Sequence, residues 1–207
     1  MRKRLACAVV GILAVAASSS ASPVVFNGDF EASVGLSNQS WGVFPSIPGW
    51  YTSSGAGIEV QNNVAALAHS GSQKIELDSH GSHSNSSMTQ DLLGLSGDYV
   101  LHFWYQPRTG TPGDNGIEAY FNSVLVRFAN GVAPDPWTEF TAPVTAIAGT
   151  NLLKFQATGL ENTLGGFIDD VSLEPVAAPV PEPASLTLSG IGLAALIRRR
   201  RNSQRAA

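Results

Sequence analysis

The chain has 207 residues and a formal net charge of −4, with 16 acidic residues against 12 lysines and arginines and a single cysteine. One cysteine excludes an internal disulfide and the Cys-rich zinc and iron–sulfur sites. The acidic balance argues against a surface that tracks phosphates, so no nucleic acid is expected as a partner.

Taken in chain order, residues 1–21 read as a secretory signal peptide. Arg2, Lys3 and Arg4 form a positive start, 5–17 are apolar, and Ser19 and Ala21 place cleavage by signal peptidase after Ala21. Cys7 falls inside this leader. The body, 22–175, keeps four basic residues, Lys74, Arg108, Arg127 and Lys154, against fifteen acidic ones, a net charge of −11. Such a domain suits neutral sugars, cations and solubility. Its length allows one domain with a real core.

No helix-length amphipathic pattern stands out in the body. Short runs separated by Gly, Pro, Asn and Ser predict strands at 24–27, 57–61, 73–78, 86–92, 99–106, 117–121, 124–129, 138–144, 152–158 and 166–174. Tyr99, Leu101, Phe103 and Tyr105 share one face of their strand; Val100, His102, Trp104 and Gln106 share the other. Leu153, Phe155 and Ala157 alternate with Lys154 and Gln156. Asn122-Ser123 predicts a tight hairpin turn. The expected fold is all-β: a single β-sandwich of jelly-roll type, flanked by an N-terminal signal helix and a short C-terminal hydrophobic helix.

Residues 176–183 are an Ala/Pro linker ending in Pro181-Glu182-Pro183. In 184–207, an apolar stretch to Ile197 meets Arg198–Arg201. Fourteen helical residues reach about 21 Å, short of the roughly 30 Å hydrocarbon core. The arginines would stay on the cytoplasmic side. This tail resembles the PEP-CTERM sorting signal of Gram-negative bacteria. The resemblance implies transient insertion in the inner membrane, recognition and processing by an exosortase, and a product secreted or held at the cell surface, often beside exopolysaccharide.

Two acidic clusters bracket the body: Asn27-Gly28-Asp29-Phe30-Glu31 and Gly166-Phe167-Ile168-Asp169-Asp170-Val171-Ser172-Leu173. With Pro48-Gly49-Trp50 and Ile58-Glu59-Val60, they resemble the signatures of galactose-binding-like jelly rolls, which include carbohydrate-binding modules. In such sandwiches the first and last strands lie side by side, and the resemblance implies a structural Ca²⁺ there. Asp29 and Glu31, two apart on a strand, would share a side, and Asp169 would face inward. The expected ligands are Asp29, Glu31 and Asp169, with Asp170 and the Gly28 carbonyl as further donors. The alternative is that Asp29 makes a turn and Asp169 accepts backbone N–H bonds.

For a glycan, the aromatic candidates are Trp41, Trp50, Tyr51, Trp104, Tyr105, Tyr120 and Trp137. Flat rings stack on sugars while amides and carboxylates take the hydroxyls. Trp50 reads as a core plug. Trp104 is the expected platform, with His102, Gln106, Arg108 and Glu118 as polar neighbours; packing is its alternative role. The run 78–87 combines Asp, Ser and His, but a catalytic triad is a geometry and not an adjacency, so it reads as a polar loop. The sequence thus points to a non-catalytic exported carbohydrate-binding protein. A structural or adhesion protein without a defined sugar site, and a small glycan hydrolase, are the competing readings.

Overall fold

A computed structural model describes residues 24–32, 34–108, 116–131 and 136–177. Twelve strands build two six-stranded sheets. They are β1 (Ser40–Phe44), β2 (Ser46–Ile47), β3 (Trp50–Ser54), β4 (Ile58–Asn62), β5 (Gln73–Glu76), β6 (Ser87–Leu93), β7 (Gly97–Gln106), β8 (Gly116–Phe121), β9 (Val124–Ala129), β10 (Thr138–Ala146), β11 (Thr150–Thr158) and β12 (Phe167–Pro175). The first sheet runs β1-β4-β5-β12-β7-β10, the second β2-β3-β6-β11-β8-β9. The paired strands are antiparallel throughout. The all-β sandwich expected from the sequence is the observed fold. The flanking signal and C-terminal helices, and the sorting motif Pro181-Glu182-Pro183, lie outside the described residues.

The period-two patterns do what the alternation demanded. Leu101, Phe103 and Tyr105 of β7 meet Leu153, Phe155 and Ala157 of β11 in one core, each at most 3% exposed. Lys154, Gln156, His102 and Trp104 point outward and are half-exposed. Full burial of each large apolar side chain contributes about 1.5–3 kcal/mol. Phe103 and Phe155 meet edge-on with centroids 5.1 Å apart. Trp50 is 1% exposed and donates its indole N–H to the Asn27 carbonyl at 3.1 Å, so it is the plug its Pro-Gly context predicted. Asn122 and Ser123 both have positive φ, 49° and 66°, as a two-residue primed turn requires.

Nine of the ten predicted strands are present. The exception is 24–27, which is bends and turns. Asn27 and Phe30 adopt left-handed φ of 52° and 56°. Asn27 organises this loop through its side chain, accepting the Ala32 N–H at 2.9 Å and donating to the Pro48 carbonyl at 2.8 Å. Asn therefore acts here as a turn former, and the segment cannot form a ladder. The three strands missing from the expectation, β1 to β3, lie in a Gly-, Pro- and Ser-rich stretch that reads as turns. Both β1 and β2 are sheet edges, where such residues are tolerated.

The N-terminal loop still reaches β12, as the resemblance implied, but without pairing as a strand. The Val171 N–H donates to the Gly28 carbonyl at 2.8 Å. A Cβ on Gly28 would sit 1.9 Å from the Val171 carbonyl oxygen. Gly28→Ala is therefore expected to lower stability by about 1–3 kcal/mol through overpacking, read by urea denaturation; an unchanged midpoint would mean that the loop does not dock as described.

Candidate functional site

Over β4, β5 and the start of β12, the outer face of the first sheet carries ionisable groups that are covered. Glu59 and Gln61 of β4 and Lys74 and Glu76 of β5 are each at most 4% exposed, as is Asp169 of β12. Glu76 is held by both carboxylate oxygens to Arg108 Nη1, at 2.8 and 2.6 Å, and by the Gly165 N–H at 2.6 Å. Burial nevertheless pushes its carboxyl up to about 7, against the downward pull of Arg108. The Lys74 ammonium donates to the Val64 and Ala66 carbonyls at 2.7 Å each and lies 4.7 Å from the Phe167 ring centre. Burial lowers it to about 8, with Glu76 opposing.

The five residues expected to hold Ca²⁺ are brought near one another around β12, each with a different engagement. Asp169 accepts the His69 and Asp170 N–H groups at 2.8 Å and the Ser70 N–H at 3.3 Å. Burial and then the neighbouring Asp170 raise it to about 7. Asp170 takes the His69 imidazole and the Ser70 hydroxyl, the latter at 2.7 Å. Glu31 accepts the Ser72 and Gln73 N–H groups at 2.7 and 2.6 Å. Gly28 spends its carbonyl on Val171, and exposed Asp29 accepts the Glu31 N–H at 3.3 Å. Asp29 and Glu31 sit on a turn, so the shared strand side inferred for them does not exist. Among the described residues no group of three or more His, Cys, Asp or Glu side chains is arranged to hold a metal ion. In this arrangement Asp169, Asp170 and Glu31 are engaged by N–H, hydroxyl and imidazole groups, and these bonds clasp loop 63–72 and the N-terminal loop to β12.

The residues expected around a sugar divide among three places. Trp104 stacks on His69 with ring centres 3.8 Å apart, and His69 meets the edge of Trp137 at 5.8 Å, so one Trp104 face is already taken. His102 binds Glu139 at 2.8 Å. Trp104 and His102 line an open groove of about 750 Å³ with Asp29, Glu31, Glu139, Asp170 and Glu174. Gln106, next along β7, pairs with Phe167. Arg108 serves the buried Glu76. Glu118 is on β8, in the opposite sheet, and cannot join Trp104.

The loop 78–87 contains no Ser–His–Asp hydrogen-bond chain among the described residues. Asp78 accepts the Leu164 N–H at 3.0 Å, the His80 ring lies 5.2 Å from that of Trp41, and His83 is 4.0 Å from Glu161.

The second sheet's outer face presents a different surface. Cross-strand register places Tyr51 of β3 opposite Thr89 of β6, Thr89 opposite Lys154 of β11, and Lys154 opposite Tyr120 of β8. Three strand spacings put the tyrosine backbones about 14 Å apart. Between them lies a groove of about 260 Å³, lined also by Ser53, Ser123 and Leu152. The Tyr51 hydroxyl donates to Asp91 at 2.9 Å, and the Tyr120 hydroxyl to Glu118 at 2.5 Å. Burial and the Asp91 bond raise the Tyr51 phenol; the Glu118 bond, then burial, raises that of Tyr120. The Lys154 ammonium sits 4.1 Å from the Tyr120 ring centre and donates to Gln156 at 3.0 Å. Tyr51 and Tyr120 were visible as aromatic candidates; their alignment with Thr89 and Lys154 depends on strand order, which period-two patterns do not carry.

Comparison with known proteins adds the two ends of the picture. Residues 179–201 match the PEP-CTERM protein-sorting motif. The chain carries a PEP-CTERM sorting motif. That motif marks it for exosortase-processed export to the cell envelope of a Gram-negative bacterium. Over 156 residues the chain is 30% identical to the multifunctional-autoprocessing repeats-in-toxin of Vibrio cholerae serotype O1, and over 150 residues 29% identical to that of Vibrio vulnificus. Those alignments cover 74% and 72% of this chain but span only 3% of each toxin. Among solved structures, the arabinose-bound α-L-arabinofuranosidase MgGH51 superposes with a TM-score of 0.52 at 12% identity, over 74% of this chain and 26% of that one, a likeness of fold. The CBM22-1 xylan-binding domain of Paenibacillus barcinonensis Xyn10C aligns over 68% of this chain and 95% of its own, with TM-score 0.45 and 13% identity.

Arg108→Leu removes the cation that holds the buried Glu76 carboxylate and is expected to cost up to about 3–5 kcal/mol at alkaline pH, where that carboxyl is charged. Because the Glu76 pKa is raised in the folded state, its protonation favours folding below the ordinary carboxylate range, and that benefit is lost as pH rises through about 7. The loss in Arg108→Leu should therefore be larger at pH 8 than at pH 5 in chemical denaturation. An equal loss at both pH values would refute the pairing argument.

Proposed function

We propose that this protein is an exported, non-catalytic glycan-binding module, and that its sugar platform is the second sheet's outer face. The observation that carries the reading is the cross-strand row Tyr51–Thr89–Lys154–Tyr120. Two tyrosines bound a shallow groove, one exposed and one half-exposed. Between them stand the Lys154 ammonium and the hydroxyls of Ser53, Thr89 and Ser123, and the carboxylates of Asp91 and Glu118 flank the row as acceptors of the two tyrosine hydroxyls. A sugar chain needs this combination: rings for its C–H faces, and donors and acceptors of both kinds for its hydroxyls. The net charge of −11 favours a neutral polymer over a polyanion.

Several features support a binding rather than a hydrolytic role. The best-located carboxylate pair, Glu59 and Glu76, is bridged by the Gln61 amide, and Glu76 has no exposed surface with which to meet a substrate. Export fits a role at the surface or in the surrounding polysaccharide, after release or attachment by the exosortase. A second location for the sugar is the Trp104 and His102 groove, favoured by its size of about 750 Å³. Its crowding by carboxylates and the His69 ring on Trp104 place it behind the tyrosine row.

Titration calorimetry with neutral xylo-, manno- and gluco-oligosaccharides separates the two. Tyr51→Ala and Tyr120→Ala should each weaken binding roughly tenfold, with Trp104→Ala close to wild type. Loss of binding in Trp104→Ala alone would move the platform to the first sheet.

A further inference from the structure

We propose that the first sheet carries a second sugar site, in the pocket between Trp41 and His80, and that the module thereby bridges two glycan chains. The inference rests on the glycan-binding reading above and extends it to the opposite face of the sandwich.

The pocket is about 220 Å³ and sits over β4, beside Arg108, Thr163 and Leu164. Trp41, on edge strand β1, is 45% exposed, and the exposed imidazole of His80 lies tilted 5.2 Å from its ring. Below this aromatic wall the floor is polar and buried: Glu59 is 4% and Gln61 1% exposed. Glu59 spends its two oxygens on the Gln61 amide at 2.8 Å and the His80 N–H at 2.8 Å. The Gln61 amide nitrogen is shared between Glu59 and Glu76. This fixes the orientation of the amide, because its nitrogen faces two carboxylates. The Gln61 carbonyl oxygen is then left buried, with no hydrogen-bond partner.

A buried acceptor without a donor costs on the order of a lost hydrogen bond and calls for an explanation. The core provides none, since Gln61 points away from it: Ile58 and Val60 occupy the inward positions of β4. What surrounds Gln61 is a pocket with carboxylate oxygens on its floor and a half-open indole on its wall. The complementary ligand brings hydroxyl donors on one side and a C–H face on the other. A single neutral sugar unit has that chemistry, and the small volume suits one unit rather than a long stretch of polymer.

The consequence follows from geometry. Glu59 and Gln61 face outward from the first sheet, Tyr51 and Tyr120 outward from the second. Sheets of a sandwich pack about 10 Å apart, so the two sites lie back to back on one rigid body. No one chain segment can lie on both faces at once, and two chains held by one module are cross-linked.

The test uses the purified exported protein with soluble arabinoxylan, galactomannan and xyloglucan, and with polygalacturonate as the acidic arm. Turbidity reports cross-linking, and calorimetry with the matching oligosaccharides reports the number of sites. The expected result is that wild type binds at two sites and clouds a neutral polymer. Trp41→Ala and the double variant Tyr51→Ala/Tyr120→Ala should each keep one site and lose the turbidity, with roughly tenfold weaker binding at the altered site. The triple variant should lose both. All replaced side chains are at least partly solvent-exposed, and a melting curve checks that each variant folds. If Trp41→Ala leaves stoichiometry and turbidity unchanged, the second site is overturned while the tyrosine platform stands. If Trp41→Ala removes all binding and the tyrosine variant none, the tyrosine platform and the bridging of two chains are overturned, and the sugar site at Trp41 alone remains. Binding to polygalacturonate alone, or to none of the four, overturns both.

Discussion

A carboxylate with no exposed surface lies on the outside of a sheet, and Arg108 is what permits it to be there. Glu76 is buried because loops fold over the first sheet, and those loops stay in place because buried ions hold them. Gly165 donates to Glu76, the carbonyls of Val64 and Ala66 take Lys74, and His69 and Ser70 are tied to Asp169 and Asp170. Removing one charge from such a layer leaves the others uncompensated in a poorly hydrated setting. The acidic residues that look most functional in the sequence are thus largely spent on closing one face of the sandwich.

That closure decides where ligand chemistry can occur. The second sheet is not covered in this way, so its outward side chains remain available along β3, β6, β11 and β8. The same alternation that drives Leu153 and Phe155 inward turns Lys154 outward, and register then sets it between Thr89 and Tyr120. Packing of the core and alignment of the outward row Tyr51–Thr89–Lys154–Tyr120 are two sides of one pattern. On the first sheet the margin near Trp41 and the groove along His102 and Trp104 stay open.

Much of the fold was readable from the residues because period-two burial is a local property. The strands β7 and β11 follow from it, and the other seven from β4 to β12 from short runs bounded by Gly, Pro, Asn and Ser, as does the turn at Asn122 and Ser123. The edge strands β1 and β2 were not, because their short lengths and their Pro and Gly neighbours carry a turn signal that the partner strand overrides. The segment 24–27 failed in the opposite sense: Val24, Val25 and Phe26 look like a strand, but the Asn27 side chain offers the backbone a loop instead. Site reading fared less well, for one reason. The sequence placed both Glu118 and Arg108 beside Trp104 as polar neighbours. Which sheet a strand joins, and which buried carboxylate claims an arginine, are long-range facts that neither spacing nor composition contains. The sorting tail was legible in full, since its message is linear.

The central claim is that the open face of the second sheet, and not the acidic groove of the first, carries the main glycan platform. Backbone amide chemical shifts followed during titration with neutral oligosaccharides test it most directly. The account predicts the largest shifts at Tyr51, Thr89, Tyr120 and Lys154. Shifts centred on His102, Trp104 and Glu139, with the tyrosine row silent, would contradict it.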